Sequence, residues 1–512
     1  MEVPAYPTTF WELLARRAEQ DPDRVLIEDD QDRSLTAAQW LQRSEQVAAG
    51  LHHQGVGEDT VVSWQLPTTI EAVILLSALA RLGAIQNPII PLLRRREVGF
   101  IVGQTKSRLL ITPQRWRNFD YGAMAADIAA EYGIDTLTLA GQGLPSADPG
   151  TLPPPPSGTG EPVRHIYYSS GSTADPKGAR HTDRSVMYAA TGTILGYDVQ
   201  PEDCIPVPFP YTHIGGIALT VASLYTRCRL LFIEIFDPKN SPLVIGRKGG
   251  TLLGSAVPFF HAYLEAQKQH GPEPLYPRLK AFSGGGAPKP PELYYEMKER
   301  FGVGIVSSWG LTEFPIATAG TLDDSDEELA HTEGRAVPGV QVRVVGNDER
   351  DVPAGQEGEL RLKGPQACQG YVDSSLDAGA FDDQGFFRTG DLGFVGRRGH
   401  VQITGRIKDV IIRNAENISA QEVEDVLYTH PKVADVAVVG IPDPVTGERA
   451  CAVVVLAEGA GSLSLTELAD FCRQQKLANQ KIPERLEIVD QLPRNALGKI
   501  LKRELRSTYG VT

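Results

Sequence analysis

The sequence predicts an α/β protein, built as a large N-terminal domain of layered sub-domains with a smaller α+β unit after it. Three observations carry this expectation. Helical periodicity and short β-branched runs alternate to about residue 320, the texture of layered, mostly parallel sheets. From about Val340 the runs shorten and read as antiparallel strands. From about Asp409 a stretch of strands and helices is long enough to close its own small core.

The elements follow in order. Residues 10–20 (FWELLARRAEQ) and 37–53 have helical periodicity, and Thr36 is placed to cap the second helix. Ile70 to Leu82 is apolar nearly all round, which predicts a buried helix. Leu109–Ile111 and Thr136–Leu139 read as strands. Leu152 to Pro162 contains four consecutive prolines and reads as a surface linker between sub-domains. It leads into a strand, His165–Ser169, and a polar loop, and a second α/β block fills roughly 180–320. Val340–Val345, Glu359–Leu362, Gly393–Val395 and Val401–Thr404 then make a small β-barrel-like part over about 335–405. The last unit has strands near 409–413, 433–440, 450–456 and 485–490, with helices near 420–429 and 465–477.

Composition excludes several classes. The 512 residues, 41% hydrophobic and 22% charged, are ordinary globular material. With 50 Lys+Arg against 64 Asp+Glu the net charge is -14, which repels nucleic-acid backbones and anionic membranes. Five scattered cysteines without a C-x-x-C pair read as buried free thiols in a reducing cytosol. No basic-then-apolar leader opens the chain, and Ala72–Ala80 is too short for a transmembrane segment. A cytoplasmic protein is expected, with no nucleic-acid partner.

The first chemical signal is the loop Tyr168-Ser169-Ser170-Gly171-Ser172-Thr173-Ala174-Asp175-Pro176-Lys177-Gly178. Hydroxyls, backbone N–H groups and one ammonium are the donors a polyphosphate needs. It is not a Walker A loop, because Pro176 precedes the lysine and Gly178 follows it. The loop resembles the phosphate-binding signature of the adenylate-forming superfamily, which includes acyl-CoA synthetases, adenylation domains of peptide synthetases, and luciferases. Ala174 stands where that pattern has glycine.

Further motifs resemble the same superfamily, in its order. Pro210-Tyr211-Thr212-His213-Ile214-Gly215-Gly216 is similar to the aromatic/histidine segment of the acyl site. Ser283-Gly284-Gly285-Gly286-Ala287-Pro288 is similar to the turn that meets adenine and the acyl chain. Ser307-Ser308-Trp309-Gly310-Leu311-Thr312-Glu313 resembles the Tyr-Gly-x-Thr-Glu motif, and Phe387-Arg388-Thr389-Gly390-Asp391 the motif that ends on a ribose-binding Asp. Gly405-Arg406-Ile407-Lys408-Asp409 matches the hinge motif and Pro493–Lys499 the C-terminal lysine loop.

The resemblance implies an ATP-dependent ligase, with magnesium, that makes an acyl-adenylate and passes the acyl group to coenzyme A. It implies Ser169, Ser170, Gly171, Ser172, Thr173 and Lys177 on the phosphates. Gly285, Gly286, Ala287, Ser308, Trp309, Gly310, Thr312, Asp391 and Arg406 would hold the nucleotide, with Trp309 on adenine and Asp391 on ribose. Glu313 would hold magnesium, and Lys499 would bridge the acid and the α-phosphate. His213, Gly215, Gly216 and Gly284 would form the acyl site, the glycines leaving room for a bulky apolar acid. The implied domains are 1–405, a hinge at 406–409 pivoting on Lys408, and a mobile C-terminal domain over 410–512. The thiol would enter beside Ile412–Ser419, where Asn414 and Ala415 replace two glycines.

The text around Val62–Pro67 and Arg81–Pro88 resembles medium-chain and alicyclic acyl-CoA ligases. A stand-alone enzyme loading a carrier protein in trans is the alternative, and a homodimer is left open.

Overall fold

The computed structural model describes residues 5–140, 143–156, 158–169, 176–285, 289–414, 416–495 and 498–510. The first helix, Phe10–Gln20, starts at a capping box between Thr9 and Glu12. Thr36 and Gln39 make another, so the helix Ala37–His53 begins where the sequence places it. In Ile70–Leu82 every residue but Glu71 and Ala80 is buried. Gly83 ends this helix at φ 66, a left-handed turn that a side chain would strain.

The buried helix belongs to a layer beside a six-stranded sheet. Its strands run in the order Lys177–Thr182, Val163–Ser169, Ile85–Pro88, Val61–Trp64, Leu109–Pro113, Asp135–Leu139. The four from Ile85–Pro88 to Asp135–Leu139 pair in parallel, whereas Lys177–Thr182 and Val163–Ser169 form an antiparallel hairpin. The proline-rich segment therefore does not divide two sub-domains. It carries the chain from the Asp135–Leu139 edge past three strands of the same sheet to Val163–Ser169. The buried Arg81 holds it there by donating to the Pro153 carbonyl at 2.8 Å, and Pro residues suit a strap with few N–H groups to satisfy.

A four-stranded sheet orders Cys204–Val207, Arg229–Phe232, Val25–Asp29 and Ser34–Thr36. A five-stranded sheet orders Leu252–Ser255, Ala281–Gly284, Ile305–Trp309, Thr318–Ala319 and Arg335–Ala336. One large apolar core spans these layers, with Trp40, Trp64, Phe232 and Phe282 fully buried in it. The β part is a four-stranded antiparallel sheet, Gln341–Val345, Gly358–Lys363, Phe387–Val395 and Val401–Arg406. Its third strand starts earlier than the sequence indicates, so Asp391 lies in a strand, directly opposite Arg406.

The C-terminal unit packs around Val433–Asp443, which is buried on both faces. Val436 and Val438 meet Val423 and Leu427 on one side, while Ala437, Val439 and Ile441 meet Leu492 and Leu505 on the other. That second face needs the helix Lys502–Tyr509, which sequence periodicity did not reveal because only Leu505 of it is buried. The strand Glu416–Ser419 was also missed, being four residues paired to Val410–Arg413. Asn414 precedes it at φ 49, a conformation Asn tolerates better than most residues, which explains how it stands in for glycine. Ala415 lies outside the described residues.

All five cysteines are buried and free. Among the described residues no helix is long and apolar enough to cross a membrane.

Candidate active site

A cleft of about 220 Å³ separates the C-terminal unit from the rest, and Ser308, Trp309, Gly310, Asp391, Arg406 and Lys499 all line it. Ser308, Trp309, Gly310 and Asp391 come from the large domain, Arg406 from the end of its last strand at the hinge, and Lys499 from the C-terminal loop. Trp309 and Gly310 stand at the end of Ile305–Trp309. A Cβ on Gly310 would lie 2.3 Å from the Ile316 nitrogen, so only glycine allows this turn.

Asp391 is buried, hydrogen-bonded at one oxygen and ion-paired at the other. The Trp309 indole Nε1–H donates to its Oδ2 at 2.9 Å, and Arg406 Nε lies 2.7 Å from its Oδ1. The pairing register explains the second contact, because the two residues face each other across adjacent strands.

Lys499 reaches this cleft from a tight loop. Asn495 holds Lys499 twice, its backbone N–H donating to the Lys499 carbonyl at 2.8 Å and its side-chain Oδ1 accepting from the Lys499 N–H at 3.0 Å. Gly498 turns between them at φ 79. Arg494 ties the loop base to Asp435 at 2.6 Å. Burial pushes the Lys499 amine down to about 7, with Arg406 and Lys408 pushing the same way and Asp391 and Asp409 opposing. Lys408 lies in the turn Ile407–Asp409 between the two units, and burial lowers its amine too.

The phosphate loop is seen at its ends. Ser169 and Lys177 face each other in the hairpin, while Ser170, Gly171, Ser172 and Thr173 lie outside the described residues. Gly286 and Ala287 do as well. Glu313 Oε1 accepts from the Tyr371 hydroxyl at 2.8 Å and from Ser169 Oγ at 3.4 Å. Tyr371 also lies under Lys177, whose Nζ is 5.6 Å from the ring centre. Lys177 and Glu313 thus meet at one phenol that sequence reasoning missed, with Ser169 bonded to the same carboxylate oxygen. Tyr371 is placed by backbone pairing of 369–372 onto the free edge of Lys177–Thr182, for which no periodic signal exists. His181 was missed as well; its Nε2–H donates to the Thr312 carbonyl at 2.8 Å and fixes that backbone.

The acyl-site expectations fare differently. His213 caps the helix Ile214–Thr226, its Nδ1 accepting from the Gly215 N–H at 3.1 Å, so its proton sits on Nε2. Burial lowers it to about 4, so it is neutral at physiological pH. The glycines do not leave open space. A Cβ on Gly216 would meet the Tyr211 carbonyl oxygen at 2.0 Å, and one on Gly284 would meet Ile305 at 2.8 Å. On Gly215 it would meet His213 at 3.2 Å. Gly216 serves close packing against backbone, and Gly284 and Gly215 serve packing against neighbouring side chains. A second groove, about 330 Å³, is walled by Phe209, Phe236, Pro258 and Phe259, with Arg117 and Glu234 also lining it, and it meets the cleft at Pro258, Arg494 and Gly498.

One cluster of metal-ligating residue types occurs among the described residues, Asp324, Glu328 and His400. His400 lies 3.2 Å from each carboxylate, and Arg335 and Arg398 already face the same two oxygens. Its charges are balanced, and it staples the helix Asp326–His331 to the hairpin beyond.

The C-terminal lysine loop thus meets a carboxylate, an arginine and an indole in one cleft. Residues 14–372 match the model of the AMP-binding enzyme family, and residues 422–499 that of the AMP-binding enzyme C-terminal domain. The chain belongs to that family and is an enzyme, a ligase. It is 29% identical to the medium-chain fatty-acid–CoA ligase of Escherichia coli, over 97% of this chain and 89% of that protein. It is 31% identical to the salicyl-AMP ligase / salicyl-S-ArCP synthetase of Mycobacterium tuberculosis, over 98% and 90%. Against the ATP-bound crystal structure of MatB from Rhodopseudomonas palustris it gives a TM-score of 0.88 at 26% identity, covering 98% and 99% of the chains. Against apo MatB the score is 0.75 at 27%, over 98% and 99%, so the whole chain superposes better on the ATP-bound form.

Proposed function

We propose that the protein activates a carboxylic acid with ATP, forming an acyl-adenylate and pyrophosphate, and then transfers the acyl group to the thiol of coenzyme A with release of AMP. The observation that carries this reading is Lys499 lining one cleft with Asp391, Arg406 and Trp309. An acid cannot be attacked by a thiol at neutral pH until its oxygen is made a leaving group. Attack of the carboxylate on the α-phosphorus brings two anions together, and Lys499 and Arg406 offset that charge in the cleft. Asp391 accepts from the ribose hydroxyls, and Trp309 stacks on adenine. Lys177 and Ser169 face the outer phosphates.

Glu313 fits a magnesium ion. One oxygen is held by Tyr371 and Ser169, and the carboxylate forms no ion pair among the described residues, leaving it for a hard cation. Magnesium bound there would neutralise phosphate charge. Glu313 and Tyr371 keep that donor set in place.

The acid of this reading is medium-chain, alicyclic or otherwise bulky and apolar. The groove is walled mostly by apolar side chains, Leu92, Trp116, Phe209, Ile235, Phe236 and Phe259, with Arg117, Glu234 and Arg494 as the charged groups among them. Transfer to a carrier protein in trans is the second reading, favoured by the likeness to the salicyl-S-ArCP synthetase. The second step requires the C-terminal domain to turn about Lys408 and withdraw Lys499. Pyrophosphate release and acyl-thioester formation across a panel of acids, with coenzyme A or carrier protein supplied, test the acid and the thiol. Apolar acids with coenzyme A should turn over; acyl transfer only to carrier would refute the thiol assignment.

A further inference from the structure

Trp309 does something in this cleft that a stacking ring alone does not. Its Nε1–H points at Asp391 Oδ2, 2.9 Å away, with the indole 6% and the carboxylate 2% exposed. A buried carboxylate can rotate about its last bond unless an oxygen is held, and a turning acceptor binds a diol poorly. The other oxygen, Oδ1, lies 2.7 Å from Arg406 Nε, yet the contact is off the hydrogen-bond axis, so Oδ1 has no aligned donor. The backbone adds a second restraint, since the Asp391 N–H donates to Thr389 Oγ1 at 3.0 Å and Thr389 Oγ1 donates to the Leu360 carbonyl at 2.6 Å. One oxygen is thus locked by an indole while the other is left as an unsatisfied acceptor.

We infer that Trp309 is a positioning residue for ribose recognition: its indole N–H fixes Asp391 so that Oδ1 is presented to the nucleotide's sugar hydroxyls. This rests on the ribose role of Asp391 in the reading above. A phenyl ring at 309 would keep a face for adenine and lose the donor. A hydrogen bond to a buried charged group contributes about 1.5–3 kcal/mol, which corresponds to about a 10- to 150-fold effect on binding.

The test compares ATP with 2′,3′-dideoxy-ATP, which has no hydroxyl for Asp391 to recognise. Pyrophosphate release is measured for the unmutated enzyme, Trp309→Phe and Asp391→Asn. Weaker stacking affects both nucleotides alike and cancels in the ratio. The expected result is that Trp309→Phe loses at least tenfold more kcat/KM with ATP than with the dideoxy nucleotide, mostly through KM for ATP. Equal losses on the two nucleotides would overturn the proposal and make the bond purely structural. If Asp391→Asn itself leaves the ATP to dideoxy-ATP ratio unchanged, the ribose role of Asp391 fails, a separate result that removes the foundation. Should Trp309→Phe not fold, the unmutated protein labelled with 15N at its tryptophans supplies the second readout. Asp391→Asn must then move one indole N–H resonance, and an unmoved set refutes the contact.

Discussion

Replacing Lys499 by methionine should abolish a proton uptake that accompanies ATP binding. In the nucleotide-free protein burial, Arg406 and Lys408 hold this amine at about 7, against an ordinary value of 10.5. At pH 8 it therefore carries only ~0.1 proton, and at pH 6 ~0.9. ATP brings several negative charges to the same cleft, which favour the ammonium form and return the amine toward its ordinary range. Binding at pH 8 should then take up ~0.9 proton at this position, and binding at pH 6 only ~0.1. Calorimetric titration with ATP, without acid, in buffers of different ionisation enthalpy counts those protons directly. The phosphates of ATP titrate as well, so the informative quantity is the difference between the unmutated protein and Lys499→Met. A difference near zero at pH 8, or one no larger than at pH 6, would refute the reasoning. The sign of the linkage is definite. Between about 7 and 10.5 the folded amine holds fewer protons than an unfolded one, so without nucleotide the folded, closed form gains stability as pH rises through that window.

Tyr371→Phe removes the hydroxyl that holds Glu313, and should raise the magnesium concentration needed for half-maximal pyrophosphate release about tenfold. The phenol itself stays protonated throughout, since burial and the Glu313 charge push it far up. His181 is buried and held neutral, its ring lowered from 6.5 to about 4 chiefly by burial. Its folded value lies below its unfolded one, so stability is complete above pH 6.5 and is lost as pH falls from 6.5 to 4. The loss is on the order of 3 kcal/mol, and a His181→Gln variant should show a shallower fall of Tm over that range. Gly216→Ala should lower stability by about 1–3 kcal/mol, because its methyl meets the Tyr211 carbonyl, whereas a glycine that merely left room for substrate would tolerate it. Denaturant midpoints decide between the two.

Much of the fold was legible because its signals are local. Capping residues, an all-apolar helix and β-branched runs each declare themselves within a few positions, so the helices at 10–20, 37–53 and 70–82 begin and end as expected. Elements defined by what they cover were not. Lys502–Tyr509 is mostly polar and exists to shield one face of a strand some sixty residues earlier. The proline-rich strap looked like a domain boundary because composition reports stiffness and not destination.

The same division holds for the site. The order of chemical groups along the chain, hydroxyls and a lysine, then an indole, a carboxylate, an arginine and a last lysine, is a property of the sequence, and it determined the reaction class. What those groups meet is a property of the fold. Only the strand register put Asp391 opposite Arg406, and only packing put Tyr371 against Glu313 and filled the space beside Gly216. The lowered Lys499 amine likewise needs two domains to meet around it. Donor and acceptor types are written in single residues, whereas dielectric, orientation and free volume are sums over neighbours distant in the chain, and these exist only once it has folded.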